Sequence, residues 1–194
     1  MLFEENNKKF IVYPGYGVAK IEKEISKEIN LSKIVFLELK FLNRDVTILV
    51  PKEGLNVVGV RELSKKEDIF EIFKIFSFNL DSKWLENICL ISLNRRSKDY
   101  QNRIRKGDLI DLANIYRDLK YIEIRKGLSF GEKAVLAQVE FLISEECSFI
   151  EKKDINLVLN ELKNCCENCI NGKINLVDTF LSFKTKDFNL KNLN

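Results

Sequence analysis

Two periods divide the chain. Up to about residue 61 apolar residues recur at every second position, and beyond it they recur at steps of three and four. Lys9 to Tyr13 is a short apolar stretch, followed by Pro14-Gly15-Tyr16-Gly17, a turn whose two glycines can take unusual φ. A second strand is expected over Gly17 to Ile25. From Lys33 the alternation sharpens: Leu37, Leu39 and Phe41 are separated by Glu38 and Lys40, the pattern of a half-buried strand. Asn43-Arg44-Asp45 has hairpin-turn chemistry. Val46, Ile48 and Val50 then alternate with Thr47 and Leu49 until Pro51 ends the run. Four or five short antiparallel strands in this length predict a small, strongly bent sheet or barrel.

After Arg61 the spacing is helical. Ile69, Ile72, Phe73 and Phe76 mark a first helix. Asp108 is placed to cap a second, whose inner face is Leu109, Leu112, Ala113, Tyr116 and Leu119, with Gly127 as its C-terminal glycine. Ser129-Phe130-Gly131-Glu132 is a capping box before Val135, Leu136, Val139, Leu142 and Ile143. Ser148-Phe149-Ile150-Glu151 reads as another, opening a helix with Ile155, Val158, Leu159 and Leu162 inside. The expected class is α+β, a β module leading into a bundle of four or five helices. Its boundaries are 1–62 for the β domain, 63–164 for the helical domain and 165–194 for a C-terminal extension whose weak periodicity leaves its structure open.

Composition narrows the chemistry. With 45% apolar and 31% charged residues among 194, the chain is of the soluble globular kind, and no apolar run approaches the ~20 residues of a membrane helix. Met1-Leu2-Phe3-Glu4-Glu5 has no signal-peptide character, so a cytoplasmic location without membrane attachment is expected. There is no histidine, which removes the commonest general base, its nucleophile pairs and histidine metal sites. No enzymatic activity is expected. Five cysteines are present: Cys89, Cys147, Cys165, Cys166 and Cys169. Their odd, clustered arrangement is not a secreted disulfide framework. Cys166 and Cys169 form a lone C-x-x-C whose fourth zinc ligand would have to come from another helix, so free reduced thiols are expected, with no metal and no cofactor. Net charge is only +3. The cations are concentrated, however: Arg95, Arg96, Lys98, Arg103, Arg105 and Lys106 share one stretch with Asp99 as its sole acid. Such a stretch is the footprint of a polyanion partner, or simply a solvated helix face.

Val12-Tyr13-Pro14-Gly15-Tyr16-Gly17-Val18-Ala19-Lys20-Ile21-Glu22, then Val50-Pro51 and Val58-Gly59-Val60-Arg61, resemble the opening domain of the CarD family of bacterial transcription regulators. That domain is shared with the transcription-repair coupling factor, where it is the RNA-polymerase-interacting module. Arg95-Arg96, Gly107-Asp108, Arg117-Asp118-Leu119 and Gly127-Leu128-Ser129-Phe130-Gly131-Glu132-Lys133 are similar to the helical domain of CarD. The likeness is collinear from about Phe10 to Leu162. It implies a Tudor-like small β-barrel domain that docks on the polymerase β subunit through an exposed sheet edge. It further implies a helical domain lying against promoter DNA at the upstream edge of the transcription bubble, where a tryptophan wedges into the minor groove and the open complex is stabilised.

Carried over residue by residue, the resemblance places Lys27 at a basic polymerase-contacting position. It places Leu49, within Thr47-Ile48-Leu49-Val50, where other members have an arginine. The backbone of Thr47, Ile48, Leu49 and Val50 can still pair strand to strand, a mode that draws on main-chain hydrogen bonds. Lys27 reads equally as an edge-strand lysine that discourages aggregation. Arg95, Arg96 and Lys98 fall where the family contacts phosphates. The tryptophan position is Leu93, expected to act as a smaller wedge, since leucine is a known minor-groove wedge residue. Trp84, nine residues earlier, is the second candidate for DNA binding; in the third reading it is a core residue and no wedge exists.

The resulting expectation is a monomeric, non-catalytic regulator bound to RNA polymerase and to promoter DNA without sequence preference. A free-standing architectural DNA-binding protein with no polymerase contact is the alternative, and a thiol-dependent enzyme or metal sensor using Cys165, Cys166 and Cys169 is the third possibility.

Overall fold

Leu37, Leu39 and Phe41, the alternating apolar residues of the third strand, are fully shielded in the computed structural model, which describes residues 10–77, 87, 88 and 90–170. They floor a small core closed by Ile11, Ala19, Val50, Leu55 and Val60. The strands β1 (Phe10–Tyr13), β2 (Gly17–Ile29), β3 (Ser32–Phe41) and β4 (Thr47–Pro51) form one antiparallel meander in chain order. A bulge between Ile21 and Lys23 bends β2 over the core. After β4, a 3-10 turn (Lys52–Gly54) and the one-turn helix α1 (Leu55–Val58) carry the chain back to β1. There Val12 and Arg61 exchange both backbone hydrogen bonds, at 2.8 and 3.1 Å. The sheet is thereby curled into a half-barrel, as the alternation predicts.

β2 extends four residues beyond Ile25, and with β3 it forms a ribbon longer than either flanking strand. Its tip is Asn30-Leu31, both in the left-handed region, with φ of 51° and 62°.

The helices are α2 (Lys66–Ser77), α3 (Leu93–Lys106), α4 (Leu109–Lys126), α5 (Phe130–Glu151) and α6 (Ile155–Ile170). Their caps follow the sequence signals. Asp108 accepts from the Asp111 N–H at 2.8 Å, and Ser129 with Glu132 makes the reciprocal box; such caps stabilise by about 1 kcal/mol each. Every residue expected on the inner faces of α2, α4 and α5 is buried in one continuous core.

Two expectations fail. Ser148 opens no helix: it lies inside α5, and its hydroxyl donates to the Glu145 carbonyl at 2.8 Å. Cys147, Phe149 and Ile150 continue the inward stripe, so the helix has no reason to stop there. It ends only at Lys152, in the left-handed region, and Asp154 caps α6 through the Asn156 N–H at 2.8 Å. Nor does the bundle stop at Asn164, because α6 runs on to Ile170 with Cys165 and Cys166 buried in the core.

α3 and α5 run in the same direction and touch directly, with α4 as the returning helix that joins them in the chain. Near their starts Arg96 binds Glu132; further along, Ile104 and Gln138 both flank Gly15; at their ends Gly107 and Glu146 both bind Arg61. The helical module thus has a proximal end on the β module and a distal end where α3 and α5 begin.

Candidate functional site

The proximal end is a polar junction embedded in apolar contacts. On α5, Glu145 accepts from the Val18 N–H at 2.8 Å and from Asn43 Nδ2 at 2.9 Å. Its neighbour Glu146 receives both Arg61 Nη atoms at 2.7 Å and the Ser64 N–H at 2.9 Å. Arg61 Nε also donates to the Gly107 carbonyl at 2.8 Å. Burial pushes the Glu145 carboxyl up from its ordinary range, an effect partly offset by the donors from Val18 and Asn43. Around this pair Phe10 packs on Phe149 with ring centroids 4.3 Å apart, and Arg44 lies 5.0 Å over the Phe141 ring. The helical spacing hints at the junction, since Glu146 stands in register with Val139, Leu142 and Ile150. A carboxylate in an apolar stripe requires a facing cation, and Arg61 is that cation.

On the β module, register decides which of the expected polymerase contacts come together. Leu49 pairs with Glu38, Glu38 with Lys23, Pro51 with Phe36, Phe36 with Ile25, and Ile34 with Lys27. Alternation therefore puts Lys27, Phe36 and Leu49 on the same outer face of the sheet. Lys27 Nζ sits 5.9 Å over the Phe36 ring, and Leu49 is 41% exposed. Ile48 and Val50 point inward, Val50 into the core. β4 pairs only with β3 among the described residues, so its other edge is open, and Thr47 to Val50 form that edge.

The expected DNA contacts divide along α3. Arg95 and Lys98 are exposed, with no ion-pair partner among the described residues, and Arg105 and Lys106 lie on the same side of the helix. Arg103 turns aside to Asp111, Nη2 to Oδ1 at 2.9 Å. Arg96 is the correction. It is 3% exposed and faces inward with Tyr100 and Ile104 at steps of four. Its Nη1 donates to the carbonyls of Ile88 and Ile91 at 2.8 and 3.1 Å, and its Nε and Nη2 bind Glu132 Oε1. Burial alone would raise the Glu132 carboxyl; the hydrogen bonds from Arg96 and Ser129 hold it below its ordinary range. An arginine so enclosed cannot reach a phosphate. It ties the chain before α3, α3 itself and α5 together.

Leu93 is the first residue of α3 and is 51% exposed. Trp84 lies outside the described residues. Two further exposed apolar side chains, Leu90 three residues before Leu93 and Phe130 at the start of α5, carry no periodic signal, because neither belongs to an inward stripe. The thiols of Cys147, Cys165 and Cys166 are buried, and burial pushes Cys165 up to about 12, far from thiolate reactivity. Among the described residues no cluster of three metal-ligating side chains occurs, and no helix is long and apolar enough to cross a membrane.

Comparison with known proteins matches both halves of this architecture. The family model described as CarD-like/TRCF RID domain matches residues 6–64, and the one described as CarD, C-terminal domain matches residues 90–163. A Bacillus subtilis (strain 168) protein named "Putative transcription factor YdeB" is 27% identical over 136 residues, covering 70% of this chain and 85% of the relative. The first match spans the curled sheet, and the second spans the helices that pack on it. With both domains present in that order, the chain belongs to the CarD family of transcription regulators, its sheet being the RNA-polymerase-interacting domain of that family.

Proposed function

We propose that this chain is a non-catalytic cytoplasmic regulator that binds the RNA polymerase β subunit and stabilises the open promoter complex from the upstream edge of the bubble. The observation that carries the reading is the two-ended body: an open sheet edge on one module and, on the other, a helix with an exposed cationic side. The open edge of β4 suits strand-to-strand pairing, with Lys27, Phe36 and Leu49 as side-chain contacts on the adjoining face. Leu49 offers apolar area there and no charge.

Tethering by the β module raises the effective concentration of the helical module at the promoter. A cationic side made of Arg95, Lys98, Arg105 and Lys106 then suffices, although free DNA would bind weakly and with strong salt dependence. Phosphate contacts position the domain without reading sequence, so action at many promoters is expected. An apolar group at the distal end, Leu93 among the candidates, would favour the unstacked fork over the closed duplex.

The test is co-purification of the full chain with the β subunit, followed by open-complex lifetime with and without it. Expected are a stable complex and a lengthened lifetime. Free DNA affinity with no β-subunit binding would instead support an architectural DNA binder.

A further inference from the structure

Phe130 is 92% exposed, the most exposed aromatic side chain among the described residues. The fold gives no reason for it. It occupies the first position of α5, where proline, alanine or an acid would serve the helix equally well. Yet its backbone is firmly held. Ser129 caps the helix, Glu132 answers with its own hydrogen bonds at 2.8 and 3.0 Å, and Glu132 is anchored in turn by buried Arg96. A protruding ring on a fixed backbone has only its own two side-chain torsions to lose on binding.

The surroundings indicate what the ring meets. The Arg96–Glu132 pair sets the first turns of α3 and α5 side by side, so Phe130 and Leu93 crown the same distal end. Leu90, 81% exposed, belongs to the segment that Arg96 holds through the Ile88 and Ile91 carbonyls. Cations flank this apolar tip. Lys133, one turn after Phe130, and Arg95, in the first turn of α3, are both exposed. An apolar tip with one exposed cation on each helix complements a polyanion with exposed flat apolar faces, which is DNA whose bases have been unstacked. From Phe130 to Glu145 α5 rises by fifteen steps, roughly 22 Å at ~1.5 Å per residue. The tip is therefore held at a fixed reach from the β module.

We propose that Phe130 supplies the aromatic surface that stacks on an unpaired base at the fork, in place of a tryptophan at the start of α3. This rests on the promoter-binding reading above and deepens it. Leu93 and Leu90 then pack beside the displaced base, and Arg95 and Lys133 hold the flanking phosphates.

The experiment uses the full chain in two assays. The first compares binding at low salt to a fork-junction DNA with unpaired bases and to a fully paired duplex of equal length. The second measures open-complex lifetime with polymerase. Wild type is expected to prefer the fork. Phe130→Ala should lose that preference on the order of ten-fold, while keeping duplex affinity, β-subunit binding and thermal stability. Phe130→Trp should keep or raise the preference. If wild type lengthens the open complex and Phe130→Ala does so equally, the inference fails while the broader reading stands; a larger loss in Leu93→Ala or Trp84→Ala would then relocate the contact. Loss of β-subunit binding in folded Phe130→Ala would assign the ring to a protein contact and overturn the inference. If wild type affects neither fork nor open complex, the promoter-binding reading itself falls.

Discussion

Arg61 lays its guanidinium along the Glu146 carboxylate, with both Nη atoms 2.7 Å from its oxygens, and spends its Nε on the Gly107 carbonyl at 2.8 Å. The same residue bridges Val12 through its backbone. One residue therefore joins the first strand, through its backbone, to the ends of α3 and α5, through its side chain. The geometry converts two modules into one body, a condition for force or position on one end to be felt at the other.

Removing one partner leaves the other partly buried and unpaired, which costs more than the pair contributes. Glu146→Ala is expected to lose about 2–4 kcal/mol in urea denaturation, and the β module should become more open to protease at the junction. A loss below about 1 kcal/mol would mean that the apolar contacts alone hold the modules together.

Gly17 lies against the adjacent carboxylate. Its φ is 104°, and a Cβ built there would stand 1.9 Å from Glu145 Oε2. Gly17→Ala must therefore displace Glu145 from Val18 and strain the backbone as well. A loss of at least about 2 kcal/mol is expected, with a mutant Glu145→Ala background recovering part of it because the clash is gone.

Arg95 and Arg96 are sequence neighbours that face opposite ways, the first exposed and the second buried. Arg95→Ala with Lys98→Ala should leave thermal stability within about 0.5 kcal/mol of wild type and reduce the salt slope of DNA binding by about two. Arg96→Ala should instead lower the melting temperature, because Glu132 and two carbonyls lose their donor. Equal stability of the double variant and Arg96→Ala would return Arg96 to the surface.

Local pattern made most of this molecule legible. The alternation of Leu37, Leu39 and Phe41 and the caps at Asp108 and Ser129 all stand where their residues imply, since each is decided by neighbours a few positions away. Arg96 departs from its expected place because the resemblance treats Arg95-Arg96 as one basic motif. Its spacing with Tyr100 and Ile104 would have turned it inward. Ser148 misled for a related reason: a serine three residues before a glutamate caps a helix only where the helix begins. The junction of Arg61 with Glu146 arises from tertiary packing across 85 positions: the spacing along α5 marks Glu146 as a carboxylate in an apolar stripe, but nothing local says which cation faces it.

Leu31 tips the β2–β3 ribbon at 96% exposure with φ of 62°. A left-handed backbone costs a non-glycine residue roughly 1–2 kcal/mol, and this turn type prefers glycine at its second central position. Leu31→Gly should therefore stabilise the chain by about 1 kcal/mol, part of it offset by the entropy of the freer unfolded glycine. Thermal melting checks this; a lower melting temperature would show that the leucine packs on something within the chain.

Asp118 gives the chain a pH dependence of unusual sign. It is buried on α4, and burial pushes its carboxyl up to about 7, although Arg117 Nη2 donates to it at 3.0 Å and opposes the rise. Unfolded, the carboxyl titrates near ~3.9. Between these values the folded state keeps a proton that the unfolded state releases, so stability falls as pH rises from about 4 to about 7. Below that window the group has no effect, and above it the penalty is complete, on the order of a few kcal/mol. Other carboxylates follow their own curves, so the informative quantity is the difference from Asp118→Asn, which cannot titrate. In urea denaturation at pH 4.5 and 7.5, wild type should lose ground to the variant at the higher pH. If wild type gains ground instead, the ionised carboxylate is stabilised by Arg117 more strongly than burial disfavours it, and the buried face of α4 carries a true ion pair.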